Sequence, residues 1–515
     1  MPSSGSGVPT GRVAAALAAD RLGVLAIVAV TLGAAAPLTT VAGAVPSAFA
    51  VTGLVPLSAA FIVVGAVLAL FATGYVRMAR LIRNPGAFYA YVRHGLGVPM
   101  GLATALIAVL GYGAFVSAAF GGLGAAAEGF VAAEWGSSPP WWAWSLAGWI
   151  LVTVLGVLRV DLSGWVLMAL LAAETAVVLL FLVVNVSHPA SSGSLPVAVS
   201  WSPRALLVGG AAVLMVLAVT AFTGFEATAV FTEEARNPAS TVPRATWLTL
   251  GLMTAVYALS AWAITVAAGP RGVVTYAQHH AGDTVFALAA QAVPSMIVTV
   301  ARGLFVTSVF AALLSFHMFV SRYLFALGRE GVLPPALGRA GLRSGVPRNA
   351  SLTVSAVGLI VVAIYAVGGW DPLLSLFYCG GALGGFAVLL LITITACAVV
   401  VFLARRPEIR PRRGAMIASA ISAVTLGAVV VLAVLHFDVL LGVAPTDPLR
   451  WVLPGAYGVV AMVGIAWAAY LRKTRPEIYA QLGFGVHAPP RNVARVTAAG
   501  HPQSASARAS AGEAR

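Results

Sequence analysis

The 515-residue chain is 60% hydrophobic and 9% charged, with 30 Lys and Arg against 16 Asp and Glu for a formal net charge of +14. So small a polar complement cannot clothe a soluble globule of this length, and the expected solvent is lipid. A nucleic-acid partner is excluded as the reason for the basic excess, because the Lys and Arg are scattered over connections instead of gathered in one domain with interleaved aromatics.

Within the first twenty residues Arg12 is the only basic one. The apolar stretch that follows runs on too long, without a small-residue cleavage site, so no removable signal peptide is expected. From Leu22 to Tyr470 apolar runs of about twenty residues, enough to cross about 30 Å of hydrocarbon, recur with short polar breaks. The alternation of a lipid-facing barrel is absent, so helices must satisfy the backbone. Twelve spans are predicted, at 23–44, 54–79, 98–126, 142–158, 162–185, 205–231, 246–268, 296–326, 350–368, 373–403, 414–436 and 451–471. All but four of the basic residues (Arg204, Arg271, Arg302 and Arg450) fall on the N-terminal side of this ladder, at every second connection, or after it. The positive-inside rule turns that bias into a multi-pass cell-membrane protein with both termini cytoplasmic.

The expected organisation is a cytoplasmic segment (1–22), one transmembrane domain (23–472) and a cytoplasmic tail (473–515) that turns polar and largely disordered from about residue 485. Trp141, Trp142 and Trp144 open span 4 as interfacial anchors. Cys379 and Cys397 share one span, five turns and about 27 Å apart, which excludes a mutual disulfide or a shared metal site. No paired metal ligands or nucleophile triad converge in the spans, so neither an enzyme nor a metal or cofactor is expected.

Two spans are interrupted. Span 1 carries Leu32-Gly33-Ala34-Ala35-Ala36-Pro37-Leu38-Thr39-Thr40, and span 6 carries Ala221-Phe222-Thr223-Gly224-Phe225-Glu226-Ala227. Proline removes a backbone bond and clashes with the preceding turn. Taken singly, these residues would serve as well for close helix packing and a tolerated kink. Their recurrence five spans apart favours an inverted repeat of spans 1–5 (about 23–185) against 6–10 (about 205–403), with two further helices at 414–471. Amides freed at such breaks attract an anionic group, and freed carbonyls attract a cation.

Several stretches resemble the bacterial amino acid permease branch of the amino acid–polyamine–organocation superfamily. Gly53-Leu54-Val55-Pro56 and Asn84-Pro85-Gly86-Ala87-Phe88-Tyr89-Ala90-Tyr91-Val92 are similar to its segments around spans 2 and 3. Gly224-Phe225-Glu226, Phe231-Thr232-Glu233-Glu234-Ala235-Arg236-Asn237-Pro238 and Val242-Pro243-Arg244-Ala245 look like its span 6 and the following loop. Ser315-Phe316-His317, Ser321-Arg322-Tyr323 and Ala326-Leu327-Gly328-Arg329-Glu330-Gly331 resemble its span 8. The resemblance implies the leucine-transporter-type fold, alternating access, and an amino acid or amine held by backbone groups. Carried over, these are Gly33, Ala34, Ala35 and Ala36 of span 1 and Phe222, Thr223, Gly224 and Phe225 of span 6. Where many members have a gly-ser-x-gly turn, this chain has Gly33-Ala34-Ala35-Ala36-Pro37, so no serine hydroxyl is at hand there.

Charged or titratable groups inside spans are expensive, which singles out Glu174, Glu226 and His317 as proton-coupling candidates. Glu174 is read equally as a structural hydrogen-bond partner, and His317 equally as a neutral histidine bonded to a carbonyl. Glu226 is the leading candidate, two residues beyond Gly224. Ser315 is the one hydroxyl assigned to a sodium cage, a weak basis, so proton symport is preferred, with exchange, uniport or a polyamine cargo left open and a fluxless sensor the remaining alternative. Tyr112, Phe222, Phe225 and Tyr378 are candidates to line the pocket. Glu233, Glu234, Arg236, Arg244, Arg322 and Arg329 form either a gate network or a solvated loop.

Overall fold

The computed structural model describes residues 21–485 except 83, 159, 191–196, 207–210, 342–344 and 408–412. Residues 1–20 of the expected segment 1–22, and the tail from 486, lie outside the described residues. Eleven helices are long and apolar enough to cross a membrane. They are α1 (Val24–Thr52), α2 (Leu57–Leu81), α3 (Val98–Trp135), α5 (Val160–Ser187), α6 (Val213–Phe231), α7 (Pro238–Ala268), α8 (Ser295–Arg329), α9 (Arg348–Gly368), α10 (Pro372–Arg405), α11 (Arg413–Leu435) and α12 (Leu449–Thr474). Between α3 and α5 stands the shorter apolar α4 (Trp141–Val157). No strand occurs among the described residues, only an isolated bridge from Leu22 to Ala235. The chain is an all-helical membrane protein.

Lipid tails are as apolar as leucine, so helices here are held by close packing and interhelical hydrogen bonds instead of by hydrophobic exclusion. Small residues supply the approach. On α3, Gly111 has no room for a methyl because Ala387 of α10 stands there, and Gly464 of α12 faces the Ala103 backbone at 2.5 Å from where its Cβ would be. Polar side chains supply the bonds: the Ser145 hydroxyl of α4 donates to Phe120 O of α3 at 2.8 Å, and the Trp149 indole Nε1 to Ser355 O of α9 at 2.7 Å. α1 packs against α5, α7, α8 and the lower part of α6, so its interruption lies inside protein and away from lipid.

One end of the bundle gathers both extremes of the described chain. The amides of Arg21 and Leu22 donate to Glu234 O at 3.0 and 2.9 Å. Past α12, a short helix (Pro476–Gln481) folds back, and the Gly483 and Gly485 amides donate to the Glu330 carboxylate at 2.8 and 3.3 Å, with Asn84 Nδ2 donating at 2.8 Å. Burial pushes the Glu330 carboxyl up, against these donors and Arg329, which hold it down. Arg93 lies 4.0 Å over the Phe484 ring and donates to Ala480 O.

Candidate functional site

The first half of α1, Val24–Ala35, ends where Ala36 takes φ +42°, a left-handed conformation unusual for a residue with a Cβ. The Ala36 amide turns back to Leu32 O and Gly33 O at 2.9 and 3.2 Å, and Pro37 offers no amide to continue the ladder. Ala35 O is taken by Thr40 Oγ1 at 2.8 Å and Tyr257 Oη at 3.3 Å. Just beyond, Thr39 donates its amide and hydroxyl to Ser308 Oγ of α8 at 3.2 and 3.0 Å. Ser308 in turn donates to Glu174 Oε2 of α5 at 2.7 Å. Glu174 is 1% exposed, and its Oε1 is buried with no hydrogen-bond partner.

In α6 the helix Ala211–Ala221 gives way to a tight turn and then the 3-10 segment Phe225–Phe231. Gly224 sits at φ +116°, and a Cβ there would meet Thr31 O of α1 at 2.9 Å and the Ala35 amide nitrogen at 3.3 Å. The two interruptions therefore touch. Gly224→Ala should cost on the order of 1–3 kcal/mol in backbone strain alone and push α6 off α1; thermal melting in detergent and uptake by the reconstituted variant check it, with loss of both expected.

Glu226, fully buried, closes the turn. Its Oε2 accepts from the Gly224 amide at 2.9 Å and its Oε1 from Tyr112 Oη of α3 at 2.7 Å, while Tyr75 Oη of α2 donates to its backbone carbonyl at 2.5 Å. Tyr112 stands among Phe316, Phe319 and Tyr323, at ring-centroid distances of 6.3, 5.7 and 5.8 Å. Phe222 lies edge-on to Tyr257 at 5.7 Å and Phe225 edge-on to Phe71 at 6.2 Å. In this conformation the amides of Ala36, Thr39, Phe222, Thr223, Gly224 and Phe225 are all accepted inside the protein. Two clefts open elsewhere, and break residues line neither. The Oγ atoms of Thr223 and Ser315 are buried without a hydrogen-bond partner.

The remaining sequence candidates are dispersed. His317 Nε2 lies 3.1 Å from both Ser351 O and Ser355 Oγ of α9, and Gly156 of α4 abuts its ring, so the structure brings it to neither carboxylate. Tyr378 is 42% exposed on α10 and does not join the aromatic cluster around Tyr112. The linking residues Thr39, Ser308, Tyr75 and Tyr257 escaped the sequence reading; Ser308, two turns before Ser315 on one face of span 8, left the one usable trace.

Toward the end of the bundle that holds Leu22, Arg322 grips Glu234 with Nε to Oε1 at 2.6 Å and Nη2 to Oε2 at 2.9 Å, both side chains nearly inaccessible. Arg329 pairs with Glu233 in the same two-pronged way at 2.8 Å. These four residues form two ion pairs; Arg236 and Arg244 are exposed outside them. At the opposite end Arg302 pairs with Asp283 at 2.8 Å.

In this all-helical membrane bundle two helix interruptions touch beside a buried carboxylate. Residues 22–461 match the amino acid permease family, and the chain belongs to it. It is similar to an uncharacterized transporter of Mycobacterium tuberculosis (36% identical over 137 residues, 27% of this chain and 30% of the relative). It is also similar to the branched-chain amino acid permease BcaP of Lactococcus lactis (31% over 145 residues, 28% and 30%) and to the methylthioribose transporter of Bacillus subtilis (27% over 247 residues, 46% and 47%). Each match spans less than half of the relative's length.

Proposed function

We propose that the chain is a secondary active transporter that imports an amino acid or related amine by alternating access, coupled to protons. The observation that carries this reading is the contact of the two interruptions, Gly224 against Thr31 and Ala35, with the buried Glu226 carboxylate bound to Gly224 and Tyr112. In this reading twelve spans form a five-plus-five inverted repeat with two added helices, α1 and α6 are its discontinuous members, and both termini are cytoplasmic.

The closed amides fit a state with the substrate site collapsed. To bind an amino acid, Ala36, Phe222, Thr223 and Gly224 exchange internal acceptors for the substrate's carboxylate, Ala35 O and neighbouring carbonyls take its ammonium, and Thr223 and Ser315 offer spare hydroxyls. Glu226 is the proton carrier: neutralised, it loosens its hold on the Gly224 amide and lets the turn open. Glu174, bound through Ser308 to Thr39, is the second candidate, poised to report the position of α1 to α5 and α8.

BcaP's name favours branched-chain amino acids as the first cargo to try, and the methylthioribose transporter justifies non-amino-acid solutes beside them. The test is uptake of labelled leucine, and then of a panel of amino acids and amines, into vesicles holding the purified chain. Saturable uptake driven by an inward proton gradient supports the proposal. Flux seen only against internal unlabelled substrate points to exchange, and binding without flux under any gradient sinks transport.

A further inference from the structure

A cleft of about 770 Å³ lies between the end of α2 and the start of α7 and is lined by Arg80, Ser240, Pro243, Arg244, Trp247 and Leu248, with Ala239. Arg80 is in the last turn of α2 and Arg244 in the second turn of α7; both are exposed, and among the described residues neither makes a hydrogen bond or ion pair. Two unpaired guanidinium groups in one cleft call for an anion, and their planar forks suit phosphate oxygens. The first turn of α7 adds to this. Its Ser240 lines the cleft, and the Ser240 hydroxyl makes one long bond, to Asn237 O at 3.4 Å, which it can exchange for a phosphate oxygen.

What lies below the arginines decides between a free anion and a lipid. Along α7 from Arg244, the residues one and two turns on, Leu248 and Leu252, are each 40% exposed, and Trp247 is 42% exposed. The order is guanidinium, indole, then aliphatic side chains, as at a surface passing from headgroups into hydrocarbon. Leu81, beside Arg80, is 55% exposed. The cleft also shares its end of the bundle with the Glu233 and Glu234 ion pairs, since α7 begins directly after that loop.

We propose that this cleft binds the phosphate headgroup of an anionic phospholipid, with Arg80 and Arg244 on the phosphate, Ser240 as a further donor, and the acyl chains along Leu248 and Leu252. A lipid held there ties the start of α7 to the end of α2. The site is separate from the transport reading and is tested without any cargo.

The full chain, purified in mild detergent, is given phosphatidylglycerol or phosphatidylcholine and its retained lipid is measured by native mass spectrometry. Phosphatidylglycerol should be retained in preference. Each membrane-proximal guanidinium contributes about fivefold to such binding, so Arg80→Gln with Arg244→Gln should weaken it about 30-fold and each single change about fivefold. Arg472→Gln, an exposed arginine at the end of α12, should leave it unchanged. The single variants carry the test if the double variant aggregates, and Arg244→Lys, which keeps the charge but loses the planar fork, should weaken binding less than Arg244→Gln does. Equal retention of both lipids, or retention unaffected by the glutamine changes, overturns the site. Inorganic phosphate that raises the melting temperature as much as phosphatidylglycerol does overturns the lipid assignment.

Discussion

Glu226→Gln is expected to abolish the dependence of uptake on an imposed proton gradient while leaving the protein folded. Glutamine keeps the shape, its amide oxygen accepts from Gly224 or Tyr112, and no proton can be taken up or released at the site. The check is uptake with and without a protonophore: wild-type uptake collapses with the gradient, and the variant's slower uptake does not change. If the variant still concentrates substrate and still responds to the protonophore, Glu226 is not the carrier and Glu174→Gln becomes the decisive change. Glu226→Ala is expected to be harsher. It leaves the Tyr112 hydroxyl and the Gly224 amide buried without an acceptor, at about 1–3 kcal/mol each, and frees the turn that Gly224 presses against α1. A fall in melting temperature that glutamine does not cause would separate this structural part from the coupling part.

The second large effect is at Arg322. Its pair with Glu234 is almost wholly removed from solvent, and Arg322 also lies 4.4 Å over the Phe231 ring and donates to Met318 O. Removing one member of such a pair strands the other charge, which costs about 3–5 kcal/mol, whereas replacing both by apolar residues of similar volume is often neutral. Arg322→Met should therefore melt well below wild type, Glu234→Met likewise, and the double change should recover most of the loss. Because Glu234 O also anchors the Arg21 and Leu22 amides, the single variants should expose this end of the bundle. Faster labelling of a cysteine placed at Ala235 by a membrane-impermeant reagent would report it; unchanged labelling and melting would show that the pair holds nothing shut.

The all-helical membrane class was legible because it rests on composition and run length, which are local properties. The places where the chain turns were legible for the same reason: proline lacks an amide and Gly224 accepts a φ that other residues resist. Even so, the left-handed residue of α1 is Ala36, not Gly33. The turn is imposed by Pro37 behind it and by the Thr40 and Tyr257 bonds to Ala35 O, and those are tertiary. Contacts that cross the sequence were out of reach. Nothing local says that Tyr112, 114 positions from Glu226, donates to it, or that Thr39 meets Ser308 across 269. His317 shows the converse. Its place in an apolar span marks it as costly to bury, yet Ser351 and Ser355 of the neighbouring helix take up its Nε2, leaving Nδ1 without a partner, and periodicity cannot say which neighbour a polar side chain will find.

The fold-back beyond α12 decides where the chain tolerates being cut or joined. Read as a bundle with a loose tail, the molecule invites truncation after Thr474 or attachment of a reporter there. Glu330, however, receives two of its donors from Gly483 and Gly485. Ending the chain at α12 would strip that carboxylate of both backbone donors and leave it to Asn84 and Tyr89, beside the Arg329 that holds Glu233. The folded body thus extends at least to residue 485, past the end of α12 at Thr474, and a cut or fusion at Thr474 falls inside it.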